Sequence, residues 1–126
     1  MTIEAGAVIA LDGERVIHWH APSNRTAGSL PDSRELWDIF FRNWNTMAGF
    51  AHSHPFHRGF PEPSMEDLTT FYGVETGLGR RYKWWITSLD RLVVFEWRGP
   101  AKLAYTPTLV EIEPAWVHGL RQLSGV

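Results

Sequence analysis

Apolar and polar positions change period several times along the chain, and each change marks an element. Residues 3–11 (IEAGAVIAL) are small, apolar and suited to a strand, and beyond Asp12-Gly13 residues 15–20 (RVIHWH) read as its hairpin partner. Turn formers crowd residues 21–31 (Pro22, Ser23, Asn24, Gly28, Ser29, Pro31), which predicts a loop. Asp32 or Ser33 can then cap a helix running to about Asn45, with Leu36, Phe40 and Trp44 spaced four apart and Trp37 and Phe41 widening the stripe. Residues 47–53 (MAGFAHS) make a short apolar strand. Pro55, Gly59, Pro61 and Pro63 force an irregular loop before Ser64 opens a second helix that ends near Gly77 or Gly79. Strand patterning returns in YKWWITS and RLVVFEW within 82–97, residues 102–112 supply one or two more strands, and Pro114 suits the first position of a last helix.

The resulting order, β-β-α-β-α-β-β-β-α, contains no internal repeat. It predicts an α/β (or α+β) fold: a mixed sheet flanked by helices, in one domain spanning residues 1–126. At 126 residues the chain can bury one core but not two, and seven Trp and seven Phe supply much of its area.

Composition then removes classes of function. A net charge of -2 with scattered Lys and Arg leaves no footprint for a phosphate backbone, so nucleic acid is not an expected partner. The absence of cysteine removes disulfides, thiolate metal sites and thiol nucleophiles together, leaving His, carboxylates, Ser or a metal for chemistry. No apolar run approaches the ~18 residues that span a bilayer, and the start Met1-Thr2-Ile3-Glu4 lacks a signal-peptide pattern. The expectation is a cytoplasmic protein with no membrane partner. Oligomeric state is not legible.

The candidate chemistry lies in residues 49–67, GFAHSHPFHRGFPEPSMED. His52 and His54 are two apart at the end of a strand, so both imidazoles share one face. Two imidazoles can bind one zinc, and a catalytic zinc commonly takes a third protein ligand and keeps an open position. Asp67, in the first turn of the following helix, can be folded back toward the strand end by the Pro-rich loop. Ser64 precedes it by three residues and can cap that helix or face the open position to steady an oxyanion. Hydrolysis also needs a proton acceptor that is not a ligand. Glu4 is the candidate, an ionisable residue out of pattern in a small, apolar strand; Glu14 and Glu35 are weaker alternatives.

These residues carry a family resemblance. His52-Ser53-His54-Pro55 followed by Ser64-x-x-Asp67, preceded by Gly49-Phe50 and by a strand bearing Glu4, resembles the JAMM motif of the JAB/MPN zinc metallopeptidases, in their single-domain prokaryotic-like form. The order of elements over roughly residues 3 to 97 is similar as well, with a longer linker between His54 and Ser64 than the family usually has. The resemblance implies a cytidine-deaminase-like architecture, Zn2+ held by His52, His54 and Asp67, Glu4 as acid/base and Ser64 as stabiliser of the tetrahedral intermediate. It implies a metallopeptidase cleaving a peptide or isopeptide bond, with substrates such as the C-terminal tail of a ubiquitin-like protein. A non-catalytic MPN-type interaction scaffold and a metal-dependent hydrolase of small amides are the alternatives.

A bland reading exists for each part: two satisfied sheet histidines, and a capping box of the S-x-x-[D/E] type. The chain supplies its own control in His18-Trp19-His20, which has the same spacing but no downstream partner motif, and is read as strand. His57 is a loop residue that can line the cleft. Trp84, Trp85, Phe95 and Trp97, aromatics at strand periodicity, are read as core or edge packing.

Overall fold

The computed structural model describes residues 2–126. β1 (Gly6–Ala10) and β2 (Val16–His20) pair antiparallel. Their connection turns at Gly13, whose φ of 75° needs a residue without Cβ, while Asp12 Oδ1 accepts from the N–H groups of Glu14 (2.8 Å) and Arg15 (2.9 Å). After a loop come α1 (Arg34–Arg42), β3 (Met47–Ser53), α2 (Met65–Leu78), β4 (Lys83–Thr87), β5 (Leu92–Trp97), β6 (Tyr105–Leu109) and α3 (Ala115–Leu123).

The six strands form one mixed sheet in the order β2-β1-β3-β4-β5-β6. β3 and β4 run parallel and are joined by α2; every other neighbouring pair is antiparallel. Alternation along the strands divides the apolar residues between two faces. On one, Val8, Phe50, Trp84 and Ile86 pack with Leu36 and Phe40 of α1 and Phe71 and Val74 of α2. On the other, Ala7, Ile9, Ala51, Trp85 and Val94 pack with Trp116, Val117 and Leu120 of α3. The result is a three-layered α/β domain. Among the described residues no helix is long and apolar enough to cross a membrane.

One buried charge ties α2 to the sheet. Glu75, 4% exposed, accepts from the Tyr82 backbone N–H (2.9 Å), Trp84 Nε1 (2.9 Å), Arg81 Nη1 (3.0 Å) and the Tyr105 hydroxyl. Four donors compensate its desolvation.

Several boundaries differ from expectation. β1 starts at Gly6 rather than at residue 3, so Glu4 precedes the regular strand. α1 stops at Arg42 because Asn43 caps it, its side-chain amide donating to the Ile39 carbonyl (2.8 Å). Trp44 therefore leaves the helical stripe and is exposed, as is Phe41, while Leu36 and Phe40 are buried. Residues 102–112 give one strand, not two. Pro114 is the cap of α3 rather than its first residue, with an extended ψ of 156°. β3 and α2 fall where the sequence put them, with Ser64 and Gly79 as caps of α2.

Candidate metal centre

The site is built from parity on two strands and one helix turn. On β3, Phe50 and His52 face the α1/α2 side of the sheet, and His54 follows one pleat on. β1 pairs with β3 so that Gly6 faces His52. Carrying that register one pleat further sets Glu4 beside His54. The chain then turns through residues 55–63, and α2 begins at the end of β3 with a capping box: Ser64 Oγ accepts from the Asp67 N–H (3.0 Å) and Asp67 Oδ2 from the Ser64 N–H (2.9 Å). The capping geometry fixes the Asp67 carboxylate against the strand end.

The donor atoms converge. His52 Nε2 lies 3.1 Å from His54 Nε2 and 3.3 Å from Asp67 Oδ1, and His54 Nε2 lies 3.2 Å from Asp67 Oδ2. Two donors held about 2.0–2.1 Å from one tetrahedral zinc stand about 3.3 Å apart, which each of these pairs approaches, Asp67 presenting Oδ1 to His52 and Oδ2 to His54. Glu4, His52 and His54 also bring a carboxylate oxygen and two ring nitrogens within 4.8 Å of one another, a group that could hold a metal ion. Two carboxylates thus compete for the third position, and the shorter distances belong to Asp67.

The two carboxylates are pushed in opposite directions. Burial raises the Glu4 carboxyl to about 7; attraction to His54 opposes this, and repulsion from Asp67 and Glu66 adds to it. Burial would raise Asp67 too, but attraction to His52, hydrogen bonds from His52 and His54 and the Ser64 N–H hold it well below the usual carboxylate range. The same neighbourhood thus favours the neutral form of Glu4 and the charged form of Asp67.

Glu4 precedes regular strand, yet its backbone is fixed on every side. Its N–H donates to the Thr26 carbonyl (2.9 Å), and its carbonyl accepts from Arg25 Nη1 (3.1 Å), which also reaches the Leu123 carbonyl at 3.1 Å. The next residue is held by Ser53: Ala5 N–H donates to Ser53 Oγ (2.9 Å), and Ser53 Oγ meets Ser124 Oγ at 2.6 Å. Arg25 and Ser124 were not singled out from sequence, and Ser53 entered only as a member of His52-Ser53-His54-Pro55 with no role of its own. No periodicity marks these roles, because each acts on groups remote in the chain: Arg25 on two backbone carbonyls, and Ser53 on the Ala5 N–H and the Ser124 hydroxyl.

A cleft of about 270 Å³ brings Glu4, His52, His54, Ser64 and Asp67 together, with His57, Glu66, Leu30 and the rings of Phe50, Phe56, Phe71 and Trp84 around them. Trp84, read as packing, is in the core at 2% exposed but also reaches this wall. Glu14 and Glu35 lie outside it; Glu35 sits 3.4 Å from His18 instead. The control pair behaves as strand: His20 Nε2 donates to the Pro31 carbonyl at 2.6 Å, and the His18 and His20 rings stand 6.5 Å apart.

A scan of this chain against protein-family models finds no match, and a search of the curated proteins likewise finds none.

Proposed function

We propose that the protein is a zinc-dependent hydrolase of peptide or isopeptide bonds of the JAB/MPN kind, with a cytidine-deaminase-like arrangement of sheet and helices. His52, His54 and Asp67 are its zinc ligands. The observation that carries this reading is the convergence of two imidazole nitrogens and a carboxylate at 3.1–3.3 Å, beside the buried, independently held Glu4.

Zinc in this site supplies Lewis-acid charge that polarises a carbonyl and acidifies water. Glu4 takes a proton from the attacking water and returns it to the leaving amine, a task for a carboxylate that is not itself a ligand. Ser64 uses its oxygen lone pair on the Asp67 N–H, so its hydroxyl proton stays free to donate to the developing oxyanion. Asp67 keeps its charge throughout. The apolar rings and Leu30 exclude water from one side of the cleft, which strengthens these interactions.

The test is metal content and turnover together. Protein purified without a His-tag binds zinc, and Glu4→Gln retains the metal while losing on the order of 10²–10⁴-fold in hydrolysis of a peptide or of a ubiquitin-like tail fusion. Failure to bind supplied zinc, or undiminished hydrolysis in Glu4→Gln, overturns the proposal.

A further inference from the structure

Both walls of the cleft are built in two tiers. On β3, Phe50 lies two residues before His52 on the same face, about 6.6 Å along the strand. On α2, Phe71 lies four residues after Asp67 on the same face, about 6 Å along the helix. Because α2 returns from the end of β3 to the start of the parallel β4, those two displacements run in the same direction. A tier of donors therefore stands over a tier of rings that form the floor of the cleft, Phe50 9% exposed and Phe71 2%. Trp84 closes the lower tier, paired with Phe50 across β3–β4 and stacked on Phe71 at 4.6 Å between centroids.

The fourth side is Leu30, from the loop before α1. A Cβ on Gly6 would meet Phe50 Cζ at 2.4 Å and Leu30 Cδ2 at 3.1 Å, so Leu30 and the Phe50 ring come together over a residue that has no side chain to separate them. The charges all sit on the donor tier or the rim: Glu4, Glu66 and Asp67 line the cleft, and among the described residues no Lys or Arg does. A negative group entering the ring tier would lose its water and meet no Lys or Arg side chain there.

Resting on the hydrolase reading above, we infer that the substrate carries a bulky, uncharged apolar side chain, aromatic or branched aliphatic, beside the scissile amide, and that Phe50, Phe71 and Leu30 select it. A cleft of about 270 Å³ lies at the small end of ligand pockets. It holds one such side chain and the reacting amide rather than a long stretch of peptide. A tail ending in glycines leaves the ring tier empty and gains nothing from it.

The experiment separates binding from turnover. Zinc-loaded Glu4→Gln protein is titrated calorimetrically with N-acetylphenylalaninamide and N-acetylglycinamide. The neutral aromatic amide binds on the order of 10–100-fold more tightly than the glycine amide, the range expected for filling an apolar pocket. Leu30→Ser, in a loop and clear of the donors, weakens the aromatic amide by a larger factor than the glycine amide, so the test does not depend on core variants such as Phe50→Ala that can unfold. Equal binding of the aromatic and glycine amides, or an unaffected Leu30→Ser, overturns the inference. So does wild-type hydrolysis that favours a glycine-ended tail, in which case the hydrolase reading still stands. Discriminating binding with no turnover of any amide supports the inference and counts against that reading instead.

Discussion

Substituting Asp67 by Ala asks which carboxylate completes the ligand set. Asp67 oxygens stand 3.2 and 3.3 Å from the imidazole nitrogens, whereas Glu4 is bounded only by 4.8 Å. The readout is the zinc-induced rise in Tm, not Tm itself, because Asp67 also accepts from the Ser64 N–H and its loss costs α2 part of a capping box, about 0.5–2 kcal/mol with or without metal. A ligand at 1,000 times its Kd stabilises by about 4.1 kcal/mol, and at 100 times by about 2.7 kcal/mol. For a chain of 126 residues, 1 kcal/mol corresponds to roughly 3–5 °C. At a free zinc concentration 1,000 times the wild-type Kd, the wild type should therefore rise by roughly 12–20 °C. Weakening affinity ten-fold removes about a third of that rise, and losing one of three ligands should remove more. Glu4→Gln should keep the full rise. If Asp67→Ala keeps it and Glu4→Gln loses it, Glu4 is the ligand and the assignment of roles is reversed.

Other consequences concern packing, positioning and titration. Glu75→Ala leaves the Tyr82 N–H and Trp84 Nε1 buried without an acceptor and should cost about 3–5 kcal/mol in urea unfolding; a loss below about 1 kcal/mol would show that the network is not what holds α2. Arg25→Ala removes the donor shared by the Glu4 and Leu123 carbonyls, and should lower turnover while leaving zinc stoichiometry at the wild-type value; unchanged kcat would deny Arg25 a positioning role. His20 is held below the usual histidine range, first by burial and then by its neighbour His18, against the hydrogen bond to the Pro31 carbonyl and the charges of Asp32 and Glu35. The unfolded chain, titrating near ~6.5, binds a proton that the folded chain resists, so this contribution is intact above that pH and is lost as pH falls toward the folded value. Urea midpoints between pH 7.5 and 5.5 should decline less in His20→Gln than in the wild type; parallel declines would refute this.

What could be read in advance followed local rules. Ser64-x-x-Asp67 is a capping signal whatever its further use, so the start of α2 and the inward carboxylate were legible together. His52 and His54 were legible because strand parity is local. Edges that depend on pairing were not: residues 3–5 have strand-forming composition, but β2 ends its pairing at Gly6, and the chain beyond is held by Thr26, Arg25 and Ser53 instead. Glu75 was invisible for the same reason. Nothing in α2 marks it, since its four donors come from β4, β6 and the turn between α2 and β4.

The contrast between the two His-x-His pairs locates the information that matters. Both sit on strands of the same sheet at the same spacing, so periodicity cannot tell them apart. β2 is an edge strand, and its histidines find a loop carbonyl and a helix-borne Glu35 in separate directions. β3 is interior and parallel to β4, which obliges the chain to cross back through α2 and sets a capped helix start, with its inward carboxylate, at the end of the strand that carries His52 and His54. A longer loop between His54 and Ser64 does not disturb this, because the ends of that segment are fixed by β3 and the cap, and added loop length costs only a fraction of a kcal/mol (about 0.6 per doubling). The convergence of these side chains therefore depends on where a strand–helix crossover begins, and the two histidines meet a carboxylate only because Ser64 and Asp67 arrive there.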